Sequence, residues 1–149
     1  MSDYHIGTYD IAVTSHQKPV PKPRMTRRDK WDERPRVLEY RAFKDQFIVD
    51  AKNAGLKPGM VVTELSARIF IAMPKSWSKK KRMSLTGKPH MIKPGPDADN
   101  VLKAIADALQ SEDVAIWKKH IEKFWDDGLG QRLEVVLVAG EPGDLLTGD

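Results

Sequence analysis

The succession of β-rich and helix-periodic segments predicts an α/β chain, an α+β mixed sheet with two helices packed on it. Three observations predict it. A length of 149 residues suits one domain spanning 1–149 with a single core, and is too short for two. Runs rich in β-formers recur at Thr8–Thr14, Val61–Met73 and Leu133–Ala139. Between them, Arg36–Ala54 and Asp99–Gln110 carry apolar residues at helical spacing.

Thr8–Thr14 (TYDIAVT) is short and β-rich and reads as the first strand. Residues 16–31 follow as an extended, irregular loop, because Pro19, Pro21 and Pro23 fix φ and remove donors at every second position. In Arg36–Ala54 the stripe is Tyr40, Phe43, Phe47 and Ala51, with Gly55 placed to end the helix. In Val61–Met73 one parity holds Val61, Thr63, Leu65, Ala67, Ile69 and Ile71, which predicts a strand with one buried face. Residues 74–96 read as a second irregular loop. Asp99–Gln110 turns Val101, Leu102, Ile105, Ala108 and Leu109 to one side. Ile116–Trp125 fits both periods and is read as a strand. A turn at Asp126–Gly130 then leads into the closing strand Leu133–Ala139, and a mobile tail is expected from about residue 141.

Composition narrows the function classes. Without cysteine there is no disulfide, thiolate zinc site or cysteine nucleophile, which points to a reducing, cytoplasmic setting. No apolar run approaches the roughly 18–20 residues that cross a membrane, and the first residues do not resemble a secretory signal. No membrane partner is expected. Charge is unevenly placed: before residue 97 there are 20 Lys and Arg against 9 Asp and Glu, and from residue 97 onward 5 against 12. A basic surface for a polyanion beside an acidic site for a cation would produce that asymmetry.

Both predicted loops are basic. The first holds Lys18, Lys22, Arg24, Arg27, Arg28 and Lys30. The second holds Lys75, Lys79, Lys80, Lys81, Arg82, Lys88 and Lys93, without any acid. Each also contains a tryptophan, Trp31 or Trp77. Lysine and arginine neutralise phosphates and aromatic rings stack on unpaired bases, so nucleic acid is the economical partner. Solvated surface charge is the plainer alternative. The four histidines, His5, His16, His90 and His120, show no metal-ligand spacing and read as incidental or as phosphate contacts.

The acidic site is Pro94-Gly-Pro-Asp97-Ala-Asp99-Asn100-Val-Leu-Lys103. Two carboxylates at a helix mouth can converge on one point, and Lys103 follows Asp99 by four residues, on the same helix face. Oxygen donors of this kind suit Mg²⁺, with Mn²⁺ as the substitute, and a nearby lysine can offset charge developing on a phosphodiester. Helix capping competes with this reading, since aspartate is a favoured N-cap. Asp113, preceded by Glu112, is a third acid within reach of the same region in sequence.

The run Pro96–Leu109 (PDADNVLKAIADAL) followed by Glu112-Asp113 resembles the RusA family of Holliday junction resolvases, whose hallmark is D-x-D-N-x-x-K, then D-x-L and a pair of acids. Met73–Arg82 (MPKSWSKKKR) and Lys22–Thr26 (KPRMT) also look like family features, and the likeness covers most of residues 8–139. It implies Asp97, Asp99 and Asp113 as metal ligands, Lys103 as the catalytic lysine and Mg²⁺ as cofactor. It also implies a homodimer that nicks opposing strands of a four-way DNA junction during recombination and repair, in a bacterial or phage-infected cell. Lys22, Arg24, Arg27, Arg28, Lys75, Trp77, Lys79, Lys80, Lys81 and Arg82 are the DNA-binding candidates. The sequence departs from the family twice: the link from Asp107 to Asp113 is several residues shorter, and the acid pair is Glu112-Asp113 followed by Val-Ala-Ile. Glu112 is therefore the substitute candidate for the third ligand, and Asp107 reads as a helix-surface or supporting residue. A non-catalytic branched-DNA-binding or architectural protein is the alternative.

Overall fold

The computed structural model describes residues 7–24, 34–92, 95–109 and 115–141. The chain runs β1 (Thr8–Ser15), α1 (Pro35–Asn53), β2 (Val61–Ile71), α2 (Lys79–Leu85), α3 (Ala98–Leu109), β3 (Lys118–Trp125) and β4 (Arg132–Gly140). The four strands form one mixed sheet in the order β1-β4-β2-β3. β4 is antiparallel to both its neighbours, whereas β2 and β3 are parallel. A parallel pair needs a crossover, and the connection from β2 to β3 supplies it with α2 and α3. The carboxylate motif thus sits inside the crossover.

One sheet face is covered by α1 and α3. Ile11 and Val13 of β1, Leu65, Ala67 and Ile69 of β2, and Leu133, Val135 and Leu137 of β4 join Tyr40, Phe43, Phe47 and Ala51 of α1 in the core. From α3 come Val101, Leu102, Ala104, Ile105 and Ala106. The period-3.6 stripe expected in α1 is buried as predicted, with Val37 added. Pro35 opens α1 where its missing N–H is not needed. Gly55, at φ 123°, ends it while the Leu56 N–H bonds back to the Ala51 carbonyl at 3.0 Å.

Three expectations are corrected. The alternation predicted for β2 holds only from Leu65 onward, because the register with β4 shifts between Val62 and Glu64. A bulge of this kind moves side chains to the opposite face; Val62, not Val61, is the residue buried in the core. Residues 74–96 are not wholly irregular, since α2 lies within them as a third helix that buries no side chain. Only two helices pack on the sheet, as expected. Ile116 and Trp117, included in the predicted strand, precede β3. Of the first loop, residues 16–24 are extended and irregular. Residues 25–31 and the tail from 142 lie outside the described residues.

Candidate active site at the mouth of α3

The site is built where the chain enters α3. Asp97 caps the helix: its Oδ1 accepts from the Asn100 N–H at 3.1 Å and its carbonyl from the Val101 N–H at 3.0 Å. One carboxylate oxygen is thereby oriented by the helix backbone, while the residue itself is exposed. Asp99 lies in the first turn and Lys103 one turn further on, both exposed. They stand on the outward side of a helix whose opposite side, through Val101, Ala104 and Ile105, is completely buried. Packing therefore fixes the direction in which the two acids and the lysine project.

Two exposed carboxylates on a rigid helix mouth are hard oxygen donors, the kind that suits Mg²⁺. Among the described residues no group of three or more His, Asp or Glu side chains is arranged to hold a cation. The predicted third acid, Asp113, and its substitute Glu112 lie outside the described residues, so Asp97 and Asp99 are the part of the ligand set that fits.

Asp107, two turns beyond Asp99, has a different role. Its Oδ2 accepts from the Tyr40 hydroxyl at 2.5 Å and is paired with Lys22 Nζ at 2.8 Å. Burial pushes its carboxyl up, but the Lys22 and Tyr40 hydrogen bonds outweigh that and hold it below the usual carboxylate range. Burial, then the Asp107 acceptor, pushes the Tyr40 hydroxyl well above the ordinary phenol value. Asp107 is half-buried where α3 meets α1 and the segment around Lys22, and acts there as a supporting residue, one of the two roles the sequence predicts for it.

Lys22, a DNA-binding candidate in the sequence, is engaged within the fold. Its backbone N–H also donates to the Asn100 carbonyl at 2.9 Å, so the segment Pro19–Arg24 is strapped to α3 at two points. Between strap and helix mouth lies an open cleft of about 400 Å³, lined by Lys18, Lys22, Arg24, Arg36, Asp97 and Asn100. Four cations thus line the cleft that Asp97 shares, together with Glu39; Lys18 is paired with Glu39 at 3.8 Å and Lys22 with Asp107. Sequence reasoning missed Arg36, since only the packing of α1 brings it here.

The other basic element is α2. Ser78 caps it, its Oγ accepting from the Lys81 N–H at 3.1 Å. Lys75, Lys79, Lys80 and Lys81 are exposed, whereas Trp77 and Arg82 are half-buried. Lys81 Nζ lies 4.1 Å above the Trp77 ring, and Trp77 meets Trp125 edge-on at 4.8 Å. Arg82 donates to the Pro74 carbonyl at 3.3 Å. Arg27, Arg28 and Trp31 lie outside the described residues. His90 is 3% exposed, so burial removes it from the surface as a phosphate contact.

No curated protein matches the chain. The family model described as Endodeoxyribonuclease RusA matches residues 16–137, from the residue after β1 to the middle of β4. With that match spanning most of the 149 residues and including the Asp97–Lys103 helix mouth, the chain belongs to the RusA endodeoxyribonuclease family.

Proposed function

We propose that this protein is a Mg²⁺-dependent, structure-selective endodeoxyribonuclease that resolves four-way DNA junctions by paired nicks in opposing strands, as a homodimer, in recombination and repair. The observation that carries the reading is the exposure of Asp97, Asp99 and Lys103 at the start of a helix packed on its other side, inside the matched family region and beside a cationic cleft. Mn²⁺ is the expected substitute metal, and the cytoplasm of a bacterial or phage-infected cell the expected setting. Among the described residues no helix is long and apolar enough to cross a membrane.

The chain's own groups divide the work. Lys18, Arg24 and Arg36 line the cleft at Asp97 and attract the phosphate backbone, while α2 offers a second cationic contact. Asp97 and Asp99 provide the anionic donors for the ion, with Asp113 or Glu112 expected to complete the set. Bound Mg²⁺ supplies Lewis-acid stabilisation of the phosphodiester and lowers the pKa of the attacking water. Lys103, one turn from Asp99, offsets the negative charge that grows on the phosphate as the bond breaks.

The second reading, a non-catalytic junction binder, has one observation in its favour: Asp97 does cap α3. Asp97→Asn and Asp99→Asn separate the two. Asparagine keeps an acceptor for the Asn100 N–H and is a good N-cap, but it removes the anionic ligand. Nicking of a synthetic four-way junction in Mg²⁺ is expected to fall at least 100-fold, with the thermal midpoint nearly unchanged. Junction affinity in chelator is expected to be equal or tighter, because a charge that repels phosphate is gone. Asparagine variants that cut at the original rate would make the carboxylates caps and nothing more.

A further inference from the structure

Beyond the end of α2, residues 87–90 run antiparallel beside the last residues of β3. The Gly87 N–H donates to the Asp126 carbonyl (3.3 Å), Trp125 N–H to Lys88 (2.9 Å) and His90 N–H to Lys123 (3.0 Å). This pairing carries His90 inward, where it is 3% exposed with its ring centroid 4.1 Å from that of Trp125. Neither ring nitrogen has a hydrogen-bond partner among the described residues. Burial, then the charge of Lys123, pushes its pKa below the ordinary imidazole value, so the ring is neutral at neutral pH. The imidazole is used here as a shape.

That shape abuts Gly95. A Cβ at Gly95 would lie 2.3 Å from His90 Cε1 and 2.8 Å from Nε2, closer than side chains tolerate. The residue is not among the positive-φ glycines, so close approach, not backbone conformation, is what demands glycine. Lys123 Nζ holds the next residue by donating to the Pro96 carbonyl at 3.2 Å, and Asp97 follows. Trp125, beneath His90, takes the edge of Trp77 next to α2.

We propose that His90 is a positioning residue for cleavage: wedged between Trp125 and the Gly95 backbone, it fixes the turn that presents Asp97 and ties that turn, through Trp125 and Trp77, to the basic helix α2. The inference rests on the reading of Asp97 as a metal ligand.

The test is a cycle of His90→Ala, Gly95→Ala and the double variant in the full chain. Three quantities are measured: single-turnover nicking of a four-way junction in Mg²⁺, Mn²⁺ binding to the free protein by electron paramagnetic resonance, and junction affinity in chelator. A displacement on the order of 1 Å costs up to about 100-fold in rate. Each single variant should therefore nick at least tenfold more slowly and bind Mn²⁺ at least threefold more weakly, with junction affinity within threefold of wild type. In the His90→Ala background the added methyl meets no ring, so Gly95→Ala should cost at most a further twofold, a strongly non-additive cycle. Wild-type rates in either single variant, effects that multiply in the double, or a loss confined to junction affinity would each overturn the proposal. Should His90→Ala fail to fold, His90→Asn and Gly95→Ala carry the same expectations. Sensitivity to Asp97→Asn with indifference to Gly95→Ala sinks the positioning role alone. Indifference to Asp97→Asn sinks the site itself.

Discussion

Asp107 shows how one side chain can join three parts of the chain. Its carboxylate joins α3, the strap and α1 through Lys22 and Tyr40, and it is held anionic by those partners. Because its pKa is lower in the folded than in the unfolded chain, the unfolded state takes up protons first as pH falls. The stabilisation is present above the ordinary aspartate value, about 3.9, and is lost as pH drops through the lowered folded value. Asp107→Asn should cost about 1–2 kcal/mol at neutral pH, a charge-assisted bond to a partly exposed lysine. It should also flatten the decline of stability below about pH 4. Urea titrations of both proteins at pH 7 and pH 3.5 check this. Helical spacing puts Asp107 four residues after Lys103, on the outward side of α3, so the sequence reads it as a helix-surface or supporting residue and the structure decides for the second. That Lys22 is its partner was not legible: strap and helix are more than 80 residues apart, and only the fold joins them.

Among the elements, α3 and α2 contrast. α3 announces itself, because its apolar residues recur at helical spacing and pack against the sheet and α1. α2 has no such signature. Its sequence KKKRMSL has nothing to bury, so the periodicity that reveals helices is absent, although a serine N-cap and good helix-forming residues are present. The β2 bulge is hidden for a related reason: a strand's alternation describes its pleat, and a one-residue insertion is set by the register with β4. If α2 binds phosphate, its exposed lysines do so. Lys79→Gln with Lys80→Gln should reduce the slope of log affinity against log salt by about 0.9 for each phosphate no longer neutralised. Lys81 rests on Trp77, so its replacement should also disturb the Trp77–Trp125 packing. Junction binding measured across a salt series distinguishes these effects, and an unchanged slope removes α2 from the interface.

At the scale of the molecule, one helical layer on one mixed sheet gathers a single site at one end of α3. Two symmetric cuts across a junction would call for two such sites, and a closed two-fold dimer would supply them. Light scattering should give a mass of about 34 kDa, twice the 16.9 kDa chain. A monomer that cuts both strands in concert would contradict it. The segments in the sequence pointed to a mixed sheet with two helices packed on it, because burial dictates periodicity in α1, α3 and the central strands, but not to the order β1-β4-β2-β3 or to α2. The position of Arg36 in the cleft and of His90 under Gly95 was not contained there, since neither residue lies on a periodic stripe.

The placement of α2 also governs where the chain tolerates a change of length. From Ser78 to Thr86 no side chain is buried, whereas residues 87–90 are stitched to the end of β3 and Pro96 is held by Lys123. The α2 segment is therefore modular, whereas residues 87–90 and 95–97 are held by their contacts. Replacing residues 79–85 with a short Gly-Ser bridge should give a folded protein with weaker junction binding and a melt lowered only by what the Lys81–Trp77 contact contributes. Deleting Gly95 should leave folding largely intact yet remove the backbone seated against His90, ending cleavage. Grip and cut would then be separable by the length of the chain alone.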